Sequence, residues 1–280
     1  MNRQLASFLT SGLFFLGLAS AAEAESSLNK IQRTGILSVA IREDAPPFGY
    51  LNSNNKLEGY CLDFFALLEK QLIKKLERNT LSLKLLKSNP SNRFGLVAEG
   101  LVDLECGPNT IHSNIAETNI PHNISFSTVF FVTGTQFLVR KNTSLDLDSD
   151  LENIPLGVIS NTTTAELITQ RYPAAILRKY RGVNGRITGI EALQQGKIDA
   201  MVSDGILLRG VAQQQGLSLS EYSLIPDVPL TCDRYGMIIP GNDPEWQDFV
   251  DSVIASPEAA ILSNVWFGQR DSSSKRRGCS

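Results

Sequence analysis

Histidine is almost missing from this chain: only His112 and His122 occur among 280 residues. Cysteine is sparse as well, at Cys61, Cys106, Cys232 and Cys279, with no C-x-x-C pair. Zinc sites draw on closely spaced Cys and His, so no metal centre is expected. No Ser-His-Asp or Cys-His spacing marks a nucleophile with its base, and no cofactor motif is read. Excess positive charge is lacking too. The 26 Lys and Arg face 29 Asp and Glu, a net charge of −3. That leaves no basic field for nucleic acid. Beyond the N-terminal segment, no apolar run is long enough to span a bilayer.

What is present suits a soluble globular protein, with 42% apolar and 20% charged residues. The length accommodates one large domain or two lobes with real cores. Residues 1–24 read as a signal peptide. Met1-Asn2-Arg3-Gln4 carries one positive charge, an apolar run follows over residues 5–19, and Ala22-x-Ala24 supplies the small residues of a cleavage site after Ala24. The run is short and punctuated by Ser, Thr and Gly, which argues against a membrane anchor. No cysteine follows it, which argues against a lipoprotein. Export permits disulfides. Four cysteines allow three complete pairings, and the sequence alone does not choose among them.

The mature chain alternates strand and helix signals. A β-rich run covers residues 35–41, and Pro46-Pro47 then stops regular structure. Apolar residues recur at helical spacing at Leu62, Phe65, Leu68, Leu72 and Leu76. Residues 81–86 alternate as a strand, 92–99 form a short helix closed by Gly100, and 102–106 form the next strand. Residues 126–140 are extended, and 142–150 are polar and acidic. A second β-α-β-α-β set then runs through strands at 156–159, 176–180 and 198–203, with helices ending near Arg171 and over 185–195. A helix over 206–214, a strand over 235–240 and a helix over 244–255 complete the pattern, and the polar, basic stretch 272–280 reads as a flexible tail. The two sets predict two α/β lobes, each with a parallel sheet and crossover helices. Ligands collect at the carboxyl ends of strands in such sheets. Asp204 stands at one of those ends and offers a carboxylate for a charge-assisted hydrogen bond to an ammonium. The alternative is that it caps the helix that follows. Thr162 and Thr163 stand at a helix start, where free N–H groups and the dipole favour a carboxylate; plain capping is the alternative there too.

The order of motifs resembles the family 3 extracellular solute-binding proteins, the amino-acid-binding components of bacterial ABC transporters. The resemblance spans residues 35–256. It rests on Gly35-x-Leu37-x-Val39 followed by Pro47-Phe48, Gly59-Tyr60-Cys61-Leu62-Asp63-Phe64, Gly100-x-x-Asp103, Thr110-Ile111, Phe126-Ser127-x-x-Phe130, Asn161-Thr162-Thr163, Gly196-Lys197-Ile198-Asp199-Ala200 through Asp204, and Tyr235-Gly236. It implies an α/β, two-lobed, type II periplasmic-binding-protein-like fold with the ligand in a cleft between the lobes. Lobe one would comprise 25–133 and, after a return strand, 231–271; lobe two would comprise 134–230. The function implied is capture of a small polar, amino-acid-like ligand in the periplasm by a monomer that serves an ABC permease in the inner membrane. An enzyme on the same fold, of the cyclohexadienyl dehydratase type, and a ligand-sensing partner of a membrane receptor are the alternatives. Asp63 and Glu43 are further carboxylates an enzyme could use.

The resemblance assigns ligand contacts to Phe48, Thr110, Thr162, Thr163 and Asp204. It also places Cys61 and Cys106 at the cleft end of lobe one, where they would form a disulfide. The chain departs from the family in one respect. Where an arginine clamps the ligand carboxylate, after Thr110-Ile111-His112-Ser113-Asn114, this chain has Ile115. His112 is the substitute donor within that segment, though largely neutral near pH 7. The missing arginine leaves room for a cationic ligand.

Overall fold

The computed structural model describes residues 25–111, 120–218 and 220–268. The chain opens with helix α1 (Ser27–Thr34), capped by the Ser26 side chain, which accepts from the Asn29 N–H. Strand β1 (Ile36–Arg42) follows, then the short β2 (Asp44–Ala45), β3 (Gly49–Leu51) and β4 (Leu57–Glu58), and helix α2 (Tyr60–Lys75). Next come β5 (Ser82–Ser88), α3 (Arg93–Ala98), β6 (Leu104–Cys106), β7 (Ile124–Phe126), β8 (Phe131–Thr133) and β9 (Thr135–Arg140). The second half holds β10 (Pro155–Ile159), α4 (Thr163–Arg171), β11 (Ile176–Tyr180), α5 (Gly185–Gln194), β12 (Ala200–Asp204), α6 (Gly205–Gln214) and β13 (Tyr222–Ile225). It ends with β14 (Asp233–Tyr235), β15 (Ile238–Pro240), α7 (Pro244–Ile254) and α8 (Pro257–Phe267).

Two five-stranded sheets form the lobes, in the orders β5-β1-β6-β15-β7 and β11-β10-β12-β9-β13. In each, three strands linked by helices run parallel. The expected all-parallel sheets are corrected, because β15, β9 and β13 run antiparallel to their neighbours. β9 and β15 enter their sheets from the connections between lobes, so no helical crossover forces them parallel. The interior strands β1 and β12 are buried along nearly their whole length, while the edge strands β5 and β11 are largely exposed. Strand periodicity divides lobe two. Phe137 and Val139 face a core with Val158, Ile168 and Tyr172, while Leu138 between them faces Ile190, Leu193 and Met201.

In lobe one, α2 turns Phe64, Phe65, Leu68 and Leu72 onto the sheet. The last helix returns to this lobe: the Phe267 ring lies against Phe48, Tyr60 and Phe131. A Cys61–Cys106 disulfide, with Cα atoms 5.6 Å apart, ties the start of α2 to the end of β6. Cys232 is disulfide-bonded as well.

The connections between lobes pair as an antiparallel ribbon, β8 with β14. Gly134 follows β8, and the Thr231 carbonyl of the return segment comes so close that a Cβ at 134 would stand 1.9 Å from its oxygen. Only glycine fits there. The Thr135 N–H donates to Thr231 Oγ1 at 2.9 Å beside it. The extended region expected over 126–140 is therefore three strands, β7, β8 and β9, with the crossing confined to its middle.

Candidate functional site

The carboxyl ends of β1, β10 and β12 point at one another across the gap between the sheets. From them, and from the loop after β6, come Arg42, Thr110, Thr162, Thr163, Ser203 and Asp204. Arg93 at the start of α3 and Arg186 near the start of α5 complete the wall with Pro108, Thr164 and Leu207. The space they enclose offers about 10 Å³ to the centre of a water-sized sphere, room for roughly one water.

The lobes meet around this space. Arg42 Nε and Nη2 donate to Asp44 Oδ1 and Oδ2 at 2.7 and 2.8 Å. From lobe two, Arg186 Nη1 donates to Asp44 Oδ2 at 2.7 Å and to the Asp44 carbonyl at 3.2 Å. All three side chains are buried. Burial alone would raise the Asp44 carboxyl, but the charges of Arg42 and then Arg186 outweigh it and hold it below the usual range. Thr110 and Thr163 hydroxyls face each other across the gap at 3.4 Å. Further out, Asn161 Nδ2 donates to Ser91 Oγ and Gln214 Nε2 to the Leu51 carbonyl. Gly210 of α6 lies against Pro46, where an added Cβ would stand 2.3 Å from the Pro46 carbonyl oxygen.

Three buried polar atoms on the wall lack a hydrogen-bond partner among the described residues. Arg93 Nη1 donates to the Pro108 carbonyl and to Asn109 Oδ1, but its Nε has no partner. Burial, and then the charge of Arg42, lowers the Arg93 guanidinium to about 10. Arg186 Nε is likewise bare. At Asp204 the Tyr235 hydroxyl donates to Oδ2 and the Asp233 carboxyl lies close enough to share a proton with the Asp204 carboxyl, while Oδ1 accepts from no N–H or hydroxyl among the described residues. Burial first, and the Asp233 charge second, push this carboxyl up to about 7. Buried polar groups are nearly always satisfied in folded proteins, so orphans gathered at one cavity point to a ligand.

Of the residues singled out from sequence, Thr110, Thr162, Thr163 and Asp204 line the cavity. Thr162 also caps α4, accepting from the Ala165 N–H at 3.2 Å. Asp204 holds the N-cap position of α6 but makes no side-chain capping bond there. Phe48 is not a wall residue: it is fully buried among Phe130, Phe131, Tyr235 and Phe267, because Pro46-Pro47 turns the chain into the core beside α2. His112 and Ile115 lie outside the described residues. Asp63 accepts from Trp266 Nε1 and Glu43 pairs with Lys87, both away from the cavity. The guanidiniums at Arg42, Arg93 and Arg186, with Asp44, were not foreseen. The chain lacks the expected clamp position, yet three arginines reach the site from other segments.

The sequence profile of the bacterial extracellular solute-binding proteins, family 3, matches residues 37–269. The chain belongs to that family. Among its relatives is a glutamate/aspartate import solute-binding protein of Salmonella typhimurium, 27% identical over 92% of this chain and 86% of the relative. The Escherichia coli protein of the same description is 28% identical over 90% and 82%. Solved structures similar in fold include a mutant of ArgBP from T. maritima, at TM-score 0.71 and 19% identity over 86% of this chain and 99% of the other. The ancestral amino acid-binding protein AncCDT-1, described as a precursor of cyclohexadienyl dehydratase, gives 0.70 at 20% identity over 87% and 100%. The two-lobed type II architecture is thus established, with helices on both sheets. This family 3 member is a solute-binding protein rather than an enzyme, as its sequence relatives are. No helix among the described residues is long and apolar enough to cross a membrane.

Proposed function

We propose that the protein captures a zwitterionic α-amino acid between its lobes and delivers it to the permease of an ABC importer. The observation that carries this is the set of orphaned atoms: a bare carboxylate oxygen on Asp204 and bare guanidinium N–H groups on Arg93 and Arg186, all at one cavity. Asp204 Oδ1 would accept from the ligand ammonium. Arg93 and Arg186 Nε would donate to its carboxylate, aided by the Thr110 and Thr163 hydroxyls and the N-terminus of α4. The names of the relatives, import proteins for amino acids, support the same class. Because the closed cavity has room for about one water, the lobes part to admit the ligand and close on it at a wider spacing than in this structure.

The rest of the reading is a monomer in the periplasm, with residues 1–24 removed and the mature chain starting at Glu25. The first lobe would be 25–133 with 231–271 and the second 134–230. N-terminal sequencing of the exported protein checks the start, and an intact Met1 overturns it. A thermal-shift screen against the amino acids tests the function, since a ligand that binds only the folded form raises Tm by mass action. No rise with any amino acid would discard it. With the ligand in hand, Asp204→Asn should weaken binding by roughly 1.5–3 kcal/mol, the range for hydrogen bonds to charged groups. Unchanged calorimetric affinity would remove the ammonium site.

A further inference from the structure

Three guanidinium groups face the cavity, but two of them are already gripping a carboxylate that belongs to the protein. Asp44 takes Arg42 in a two-pronged pair at 2.7 and 2.8 Å, and Arg186 from the opposite lobe reaches the same carboxylate at 2.7 Å. A carboxylate held this way by two arginines is what the side chain of an acidic amino acid would need. The fully buried guanidinium nitrogens left without a partner among the described residues are Nε of Arg93 and Nε of Arg186. Together these suit a single carboxylate. The charges tell the same way. Among the described residues, Arg42, Arg93 and Arg186 are met by Asp44 and Asp204 on or beside the wall and by Glu105 and Asp233 just behind it, all buried. A ligand of no net charge adds nothing to that excess of acids. An acidic one adds a further buried negative charge where four acids already face three arginines, two of which Asp44 holds.

We propose that Asp44 is a built-in substitute for a ligand side-chain carboxylate, and that the site therefore selects amino acids of no net charge over glutamate and aspartate. This rests on the reading that an amino acid is the ligand, and it parts from the relatives, whose names give glutamate and aspartate. Asp44 suits the role because β1 ends one residue before Glu43 and the chain turns into β2 there. Its backbone is fixed by the Asp44–Tyr50 pairing to β3.

Isothermal titration calorimetry of the wild-type mature protein against the twenty amino acids, with Asp44→Asn alongside, decides it. The tightest wild-type ligand should be a neutral amino acid, favoured over glutamate and aspartate by about tenfold or more, the scale of one charge-assisted hydrogen bond. Asp44→Asn should shift that ratio towards the acidic pair by about tenfold or more. A wild-type protein that binds a charged amino acid most tightly overturns the inference, as does a folded Asp44→Asn with an unchanged ratio. Should Asp44→Asn lose its folded circular dichroism spectrum, the wild-type ratio decides alone. If none of the twenty binds, it is the amino-acid reading itself that falls.

Discussion

Asp204 carries opposite costs for folding and for binding. Its carboxyl is pushed up to about 7 by burial and then by Asp233, against the Tyr235 hydroxyl and Arg186, which favour the charged form. A carboxyl raised in the folded state lends stability at low pH that is lost as pH rises from about 4 through about 7. Asp204→Asn should therefore raise the Tm of the ligand-free protein at pH 8 by a few degrees and leave it nearly unchanged at pH 4, as calorimetric scans would show. Binding runs the other way, because an ammonium needs the ionised carboxylate. Affinity should be full above about pH 7 and fall as pH drops below it, approaching tenfold per unit, with one proton released on binding. A flat affinity between pH 5 and 8 would contradict the assigned contact. Asp204 was legible because an acid at the end of a buried strand is conspicuous. Arg42 obeys the same rule, but the apolar run that marks its strand stops at Ile41, and the strand continues one residue further. Arg93 and Arg186 sit in the first turns of short helices, where an arginine reads as solvated. Only the folded chain shows them turned inward.

Between the lobes, the β8–β14 ribbon is set by a residue with no side chain. At Gly134 a Cβ would meet the Thr231 carbonyl at 1.9 Å, so Gly134→Ala forces the two crossings apart. The expected cost is about 1–3 kcal/mol, typical of a backbone shift made to fit extra atoms, read as a lower urea midpoint. An unchanged midpoint would mean the ribbon yields freely. The elements legible in sequence were those with a full period to show: α2, α4, and the helices and strands of both β-α-β-α-β sets. The strands of the β2-β3-β4 sheet are two or three residues long and show no alternation. Helix α8 was missed because Ile261 and Val265 point to solvent, so its apolar residues trace no single buried face. Helix α1 is short and mostly polar, and its cap alone announces it.

At the scale of the whole molecule, the two lobes close on a buried ion cluster, a pair of threonine hydroxyls and a bare glycine backbone. The cluster of Arg42, Asp44 and Arg186 would be separated by opening, exposing Arg186 and Asp44 to water. Breaking one partner of a buried pair is costly, so Arg186→Gln should shift the lobes towards the open form, read as a larger radius of gyration in small-angle scattering without ligand. Gly210 acts on the same equilibrium by contact alone. An alanine there has no room beside the Pro46 carbonyl when the lobes are shut, yet within a helix it is better than glycine by about 1 kcal/mol. Gly210→Ala should thus leave folding as stable or more so, while the shut form is propped ajar. A ligand enclosed on all sides leaves only as fast as its enclosure opens. The substitution should therefore appear as a shortened residence time, with a faster dissociation rate in stopped-flow displacement and a rate of capture that is no slower. The spacing between α6 and one proline carbonyl is then a timer for how long the protein holds its cargo before a transporter must take it.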